Sequence, residues 1–410
     1  MEYALVSGNN IKSHSPLIHH LITSLNYQTL ILNKSEFDTF MSTKSFKGLN
    51  ITIPYKKDVI NYLDEIDELA KSLGVVNTVV NQNGKLIGYN TDYYGFSFML
   101  DYFKVDVKDK KVIILGSGAT SNTVELVLKN KKAKTILKVS RRKTGPNIIS
   151  YNEIYNHQDV DVIVNTTPVK DVSIIDFNKI KPSFVIDVNY NPLYSRILVE
   201  AKMNKIKVVN GLMMLVAQAF LADELFLSKK LDPSIILKVY KKVKSQLLSI
   251  ALIGLSYSGK TTLAKEFANK YGFNYIDTDE EIEKLTSLKI RDIFKNHGED
   301  YFREIESKIV KDVSLLNHSI ISLGGGVILN KENIINLASN CVIVHLTRDV
   351  KQIKLNDDRP LIKDKDDLVS LNKKRYLLYE QYSDVTIINN GTIEDATNKI
   401  KEVFNEYLSY

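Results

Sequence analysis

Residues 249–262 read Ser249-Ile250-Ala251-Leu252-Ile253-Gly254-Leu255-Ser256-Tyr257-Ser258-Gly259-Lys260-Thr261-Thr262. The first five form a short apolar run, Gly254 to Thr261 fits G-x-x-x-x-G-K-[ST], and a helical stretch follows. A strand that opens through a glycine turn into a helix N-terminus cradles phosphate. Its backbone N–H groups turn inward, Lys260 can reach the terminal phosphates, and the Thr261 hydroxyl can ligate Mg²⁺. Gly254, Ser256, Ser258, Gly259, Lys260, Thr261 and Thr262 are the expected nucleotide-binding residues of this loop.

Similar runs lie on both sides of it. Val112 to Leu115, Thr135 to Val139, Val160 to Val164, Val185 to Val188 and Val342 to Leu346 alternate with helical stretches. That alternation predicts an α/β chain whose parallel sheets are flanked by helices on both faces. A second glycine turn, Gly116-Ser117-Gly118, also stands between a strand and a helix, so two nucleotide domains are expected. Before Asp101, strand-like Tyr3 to Ser7 and Gly48 to Ile53 surround helical Pro16 to Leu25 as a further unit. The expected division is 1–100, completed by 210–247, then 101–209, then 248–410.

The bulk numbers agree with several cores. The chain has 410 residues, more than the roughly 250 to 300 at which single cores stop growing. With 44% hydrophobic and 25% charged residues it has an ordinary globular composition. No apolar stretch is long enough to span a bilayer, and the start runs directly into a strand, so a cytoplasmic address and no membrane partner are expected. The net charge of +7 comes from scattered lysines with no nucleic-acid motif, so no nucleic-acid partner is expected. The single cysteine, Cys341, lies in an apolar run and reads as a small core residue.

Beyond the phosphate loop, Asp277 and Asp279 follow a strand end (Phe273 to Ile276). In an extended segment they would point to opposite sides, Asp277 toward hydrated magnesium and Asp279 toward a substrate hydroxyl whose proton it helps remove. The turn Gly116-Ser117-Gly118-Ala119 is a partial dinucleotide fingerprint with Ser121 in place of the third glycine. At the end of the next strand, where an NAD enzyme places an acid, this chain has Ser140-Arg141-Arg142-Lys143. Cations there favour a 2′-phosphate, hence NADP.

Phe302-Arg303-Glu304-Ile305-Glu306, Gly324-Gly325-Gly326, Arg359-Pro360-Leu361 and Arg375-Tyr376-Leu377-Leu378-Tyr379 follow the phosphate loop in order. This series resembles the shikimate kinases over Ser249 to Tyr410, which implies ATP, Mg²⁺ and shikimate as ligands. The resemblance gives Arg303 and Arg375 the acid group of shikimate, which suits guanidinium forks, and brings the backbone of Gly324, Gly325 and Gly326 close to the ring. It makes Arg359 the lid arginine over ATP. Tyr257 stands where the family usually has glycine.

Upstream, Ser13-His14-Ser15-Pro16, Asn50-Ile51-Thr52-Ile53-Pro54-Tyr55-Lys56, Val75-Val76-Asn77-Thr78, Gly88-Tyr89-Asn90-Thr91-Asp92, Asn165-Thr166-Thr167-Pro168, Asp187 to Pro192 and Gly211 to Gln218 resemble the shikimate dehydrogenases from Glu2 to Gln246. By that resemblance the first unit binds substrate, 101–209 is a Rossmann-like NADP domain, and Thr166 joins Gly116, Ser117, Gly118, Ala119, Ser140, Arg141 and Arg142 at NADP(H). Reducing a ketone requires a hydride and a proton, and Lys56 beside Asp92 suits the proton. Ser13, Ser15, Thr52, Asn77 and Gln218, with Tyr190, match positions that bind the substrate's carboxylate and hydroxyls. Lys170 replaces a usual glycine, and His14, His19 and His20 read as packing or surface residues.

The two resemblances together imply a bifunctional enzyme of aromatic amino-acid biosynthesis, acting on 3-dehydroshikimate and shikimate as a monomer or homodimer. A quinate-type dehydrogenase joined to another small-metabolite kinase is one alternative. A ligand-sensing, non-catalytic dehydrogenase-like module on an active kinase is another.

Overall fold

In this computed structural model, residues 2–10, 13–142, 145–353 and 364–409 are described. Three sheets carry the chain. The first contains β1 (Tyr3–Ser7), β2 (Tyr27–Ile31), β3 (Gly48–Ile51), β4 (Glu65–Ile66), β5 (Thr78–Gln82) and β6 (Lys85–Tyr89), in the order β2-β1-β3-β5-β6-β4. It is mixed, because β5 runs antiparallel to both β3 and β6. The Asn83-Gly84 turn between β5 and β6 has positive φ at both residues, the signature of a tight hairpin.

Successive side chains of a strand face opposite ways, and both faces of this sheet are covered. Ala4, Val6, Leu49, Ile51 and Val79 pack with Phe37 and Met41 on one side. Tyr3, Leu5, Tyr27 and Val80 pack with Ala222 and Phe226 on the other. Each fully buried large side chain contributes about 1.5–3 kcal/mol, so register is specified from both faces. The strand expected to run to Ile53 ends at Ile51. Thr52 then opens a turn in which the Tyr55 N–H donates to the Thr52 carbonyl at 2.9 Å, which brings Lys56 back toward Thr52.

The second sheet is parallel throughout: β7 (Lys111–Leu115), β8 (Thr135–Val139), β9 (Ile148–Ile149), β10 (Val162–Asn165), β11 (Phe184–Asp187) and β12 (Lys207–Asn210), ordered β12-β11-β10-β7-β8-β9. The order reverses between β7 and β10, the position at which doubly wound sheets bind ligands. The third sheet is also parallel: β13 (Ser249–Ile253), β14 (Asn274–Asp277), β15 (Ser319–Ser322), β16 (Cys341–Thr347) and β17 (Val385–Ile388), ordered β14-β15-β13-β16-β17. Its central strand β13 leads into the phosphate loop and the helix Lys260–Tyr271.

The chain forms two compact units, Met1–Asn191 with Glu200–Val243, and Pro192–Val199 with Lys244–Tyr410. In the second, the Leu193 N–H donates to Asn340 Oδ1 at 2.9 Å. Cys341 is buried, which pushes its thiol up to about 12. Among the described residues, no helix is long and apolar enough to cross a membrane.

Candidate active sites

A cavity of about 210 Å³ in the first unit is lined by every residue expected at the dehydrogenase substrate: Ser13, Ser15, Thr52, Lys56, Asn77, Asp92, Tyr190 and Gln218. Lys56 Nζ lies 2.6 Å from Asp92 Oδ2, with side-chain exposures of only 13% and 11%. Lys56 comes from the turn after β3, and Asp92 from the first turn of the helix Thr91–Tyr102. That helix packs on Leu212–Leu227 so closely that a Cβ at Gly95 would sit 2.5 Å from the Met214 carbonyl. The absent side chain brings Gln218 to within reach of Thr91, whose Oγ1 is 3.1 Å from Gln218 Oε1.

Ser13 Oγ donates to Ser15 Oγ at 3.0 Å, ordering the two hydroxyls on one rim. Tyr190 is hydrogen-bonded to Ser13, and burial holds its phenol above the usual range. Asn50, Thr120 and Met214 also face the cavity; the sequence reading assigned none of them. Asn50 lies two residues before Thr52 at the end of β3, a spacing that could have flagged it. Lys170 Nζ donates to the Asn191 carbonyl at 2.7 Å, so its ammonium is engaged at the loop before Pro192. His19 is buried and paired with Asp223 at 2.5 Å, while Met214 gave no signal beyond helical apolarity.

At the switch point of the second sheet, Gly116 has φ +109, and a Cβ there would meet Thr166 Oγ1 at 2.8 Å. Thr166 Oγ1 donates to the Leu115 carbonyl, joining the ends of β7 and β10. Ser121, in the third-glycine position, donates to the Gly116 carbonyl at 2.9 Å and tightens the same turn. The helix Ala119–Asn130 starts at Gly118 with no side-chain cap, which leaves its first N–H groups for an anion. Ser117 Oγ reaches Ser140 Oγ at 3.4 Å, and Arg141 and Arg142 beside it are exposed.

A larger cavity, about 1110 Å³, opens in the second unit over the phosphate loop, with Ser256, Gly259, Lys260, Thr261 and Thr262 on its wall. Gly254 and Ser258 lie behind that wall. Gly254, at φ +142, lies so close to β16 that a Cβ would be 2.3 Å from the Leu346 carbonyl, and Ser258 is buried. Lys260 Nζ donates to the Gly254 and Leu255 carbonyls, each at 2.9 Å. Thr261 Oγ1 donates to Asp277 Oδ2 at 2.8 Å and lies 3.1 Å from Ser322 Oγ. These hard oxygen donors are the kind that magnesium takes.

Asp277 and Asp279 both line this cavity, but not as alternate residues of a strand. Asp277 ends β14 and accepts the backbone N–H of Asp279 at 2.9 Å, capping the helix Thr278–Thr286. Helix initiation therefore turns Asp279 to the same side as Asp277. Gly324 and Gly325 line the cavity too.

Arg303 and Arg375 approach that glycine turn without themselves lining the cavity. Arg303 pairs with Glu306 at 2.8 Å and Glu299 at 2.9 Å, and Arg375 Nη1 donates to the Gly325 carbonyl at 3.0 Å. Burial raises the Glu306 carboxyl, with Arg303 opposing that shift. Gly326 leaves room for the Arg303 guanidinium, which a Cβ would meet at 2.3 Å. Arg348, unassigned by the sequence, also faces the cavity. Arg359 lies outside the described residues.

Comparison with known proteins agrees with both halves. Residues 257–409 match the family model for shikimate kinase, and residues 6–79 match that for the shikimate dehydrogenase substrate binding domain. A shikimate dehydrogenase (NADP(+)) of Clostridium perfringens is 35% identical over 265 residues, 59% of this chain and 98% of the relative. One from Clostridium botulinum is 38% identical over 52% of this chain and 92% of the relative. Shikimate dehydrogenase 1 of Peptoclostridium difficile superposes with a TM-score of 0.56 at 30% identity, over 60% of this chain and 98% of that one. A chorismate mutase/shikimate 5-dehydrogenase fusion from Clostridium acetobutylicum gives 0.56 at 35% identity, over 59% of this chain and 96% of that one. The chain therefore belongs to the shikimate dehydrogenase family and carries a shikimate kinase domain in its C-terminal part, a bifunctional enzyme of the shikimate pathway.

Proposed function

We propose that this enzyme reduces 3-dehydroshikimate to shikimate with NADPH and then phosphorylates shikimate to shikimate 3-phosphate with ATP and Mg²⁺. The observation that carries the reading is the Lys56–Asp92 pair, 2.6 Å apart, in a cavity lined by small hydroxyl and amide side chains suited to a polyhydroxylated ring. A relative from Thermus thermophilus, 25% identical with a TM-score of 0.53, was solved with NADP(H) and shikimate. In this reading residues 1–100 with 210–247 bind substrate, 101–209 bind NADP and 248–410 form the kinase. The enzyme acts on small molecules in the cytoplasm, as monomer or homodimer.

NADP fits the turn at Gly116 and Thr166, with Ser117, Gly118 and Ala119 at its pyrophosphate and Ser140, Arg141 and Arg142 at its 2′-phosphate. When bound it supplies the hydride. Lys56 gives a proton to the oxygen of the reduced carbonyl and stabilises the charge that develops there, while Asp92 holds the Lys56 side chain in place. Ser13, Ser15, Thr52, Asn77, Tyr190 and Gln218 orient the ring by directional hydrogen bonds.

In the second unit Thr261 and Asp277 hold magnesium, directly or through water, and Gly254, Ser256, Ser258, Gly259 and Thr262 shape the phosphate loop. Magnesium there neutralises phosphate charge. Lys260 exchanges its two loop carbonyls for phosphate oxygens. Asp279 accepts the proton of the shikimate hydroxyl, Arg303 and Arg375 bind the shikimate carboxylate beside Gly324, Gly325 and Gly326, and Arg359 closes over ATP.

The test is a coupled assay on the full chain with 3-dehydroshikimate, NADPH and MgATP, following nicotinamide absorbance and shikimate 3-phosphate. The expected result is both signals in sequence. Oxidation of shikimate with NADP⁺ but no shikimate 3-phosphate with MgATP refutes the fused activity.

A further inference from the structure

Behind the dehydrogenase cavity runs a continuous buried chain of polar side chains. The Tyr27 hydroxyl donates to Asn50 Oδ1 at 2.7 Å, and Asn50 Nδ2 donates to Thr78 Oγ1 at 3.0 Å. Thr78 Oγ1 lies 3.0 Å from Thr91 Oγ1, which donates to Gln218 Oε1 at 3.1 Å. Asn77 flanks the chain, its Nδ2 donating to Thr91 Oγ1 at 3.0 Å.

Three backbone groups decide which way the amides face. Asn50 Nδ2 faces the Asn77 carbonyl at 3.4 Å, Asn77 Oδ1 accepts the Thr91 N–H at 2.7 Å, and Gln218 Nε2 donates to the Leu215 carbonyl at 3.1 Å. A carbonyl accepts only a donor and an N–H only an acceptor, so none of these amides can be turned over without losing a bond. The protons then run in one direction. Asn50 receives at oxygen and gives at nitrogen, Thr78 receives from Asn50 and gives to Thr91 or to Asn77 Oδ1, and Thr91 receives from Asn77 Nδ2 and gives to Gln218 or to Asn77 Oδ1. Left over for the cavity are the second Nδ2 hydrogen of Asn77 and the second Nε2 hydrogen of Gln218, both of which line it. The pocket wall thus offers donors to the oxygens of its ligand.

The chain begins at Tyr27, whose ring stacks on His19 at 4.0 Å and 15° and whose phenol burial holds well above its usual range, keeping it a donor. We propose that Tyr27 is a positioning residue of the dehydrogenase site, holding in place through Asn50, Thr78 and Thr91 the side chains of Asn77 and Gln218, whose N–H groups the backbone has already turned toward shikimate. This rests on the dehydrogenase reading above. Tyr27 touches no reacting atom; it acts through the chain of hydrogen bonds.

The experiment measures shikimate oxidation by NADP⁺ in the full chain and in three variants. Tyr27→Phe keeps the ring and removes the hydroxyl, Thr78→Val interrupts the chain at equal volume, and Thr78→Ser restores it. Tyr27→Phe and Thr78→Val are expected to raise KM for shikimate about tenfold, with kcat lowered less than about threefold and KM for NADP⁺ unchanged, as loss of one well-placed hydrogen bond predicts. Thr78→Ser should return KM to within about twofold of wild type. Unchanged KM in both disrupting variants, or Thr78→Ser behaving as Thr78→Val, overturns the relay while the dehydrogenase reading stands. A wild-type chain without shikimate-dependent NADP⁺ reduction overturns that reading, and the relay with it.

Discussion

Lys56 is one of many lysines in the sequence, and its partner makes it distinct. A mostly buried amine 2.6 Å from a carboxylate is held in one place, the condition for delivering a proton to a defined atom. Lys56→Met keeps the stem and removes the proton, so dehydrogenase turnover should fall about 10³-fold, within the usual range for a general acid. The nicotinamide absorbance rate checks it, and KM for NADPH should hardly move. Arg141 and Arg142 present a second residue-scale case, because they are exposed and their guanidinium forks match the oxygens of a phosphate. Replacing both with alanine should raise KM for NADPH at least about tenfold while leaving KM for NADH nearly unchanged, since only the former carries the 2′-phosphate. An equal rise for both nucleotides would remove these arginines from the 2′-phosphate site.

At the scale of the element, the strand, loop and helix at 249–271 show how backbone and side chain share the work. Gly254 holds φ +142 with the Leu346 carbonyl in the space of its missing Cβ. That obstacle is rigid backbone, so Gly254→Ala should cost about 3 kcal/mol or more in urea unfolding of the kinase unit. Gly326 meets a different obstacle, the far end of Arg303, at 2.3 Å. Arg303 can move only by loosening its pair with buried Glu306, so Gly326→Ala should lower the thermal midpoint of the kinase unit by several degrees and raise the kinase KM for shikimate about tenfold. Tyr257 takes the opposite course from a glycine. It accepts φ +67, a strain of roughly 1–2 kcal/mol, while its ring packs against the cluster of Leu255, Ile353 and Leu368, which offsets that strain.

At the scale of the whole molecule, each cavity belongs to one compact unit, the dehydrogenase cavity to the first and the phosphate-loop cavity to the second. Lys56→Met should therefore spare phosphorylation, and Lys260→Ala should abolish phosphorylation while sparing reduction, each half assayed on its own substrates, 3-dehydroshikimate with NADPH and added shikimate with MgATP. Either variant losing both activities contradicts independent sites. The α/β class, both glycine turns and the ordered motifs were legible in the sequence, because a phosphate cradle demands particular residue types at short, fixed spacing. Asp279 was legible as a candidate but not in its direction, since the Asp277 cap that starts the helix is a local competition between strand and helix that an extended reading misses. The mixed first sheet escaped notice although Asn83-Gly84 announced its hairpin. Residue order alone thus determined which chemistries the chain carries. Only the tertiary structure decided which side chains meet: Thr91 reaches Gln218 across 127 positions because Gly95 lets two helices close to contact, and packing between distant elements is not encoded in any short spacing.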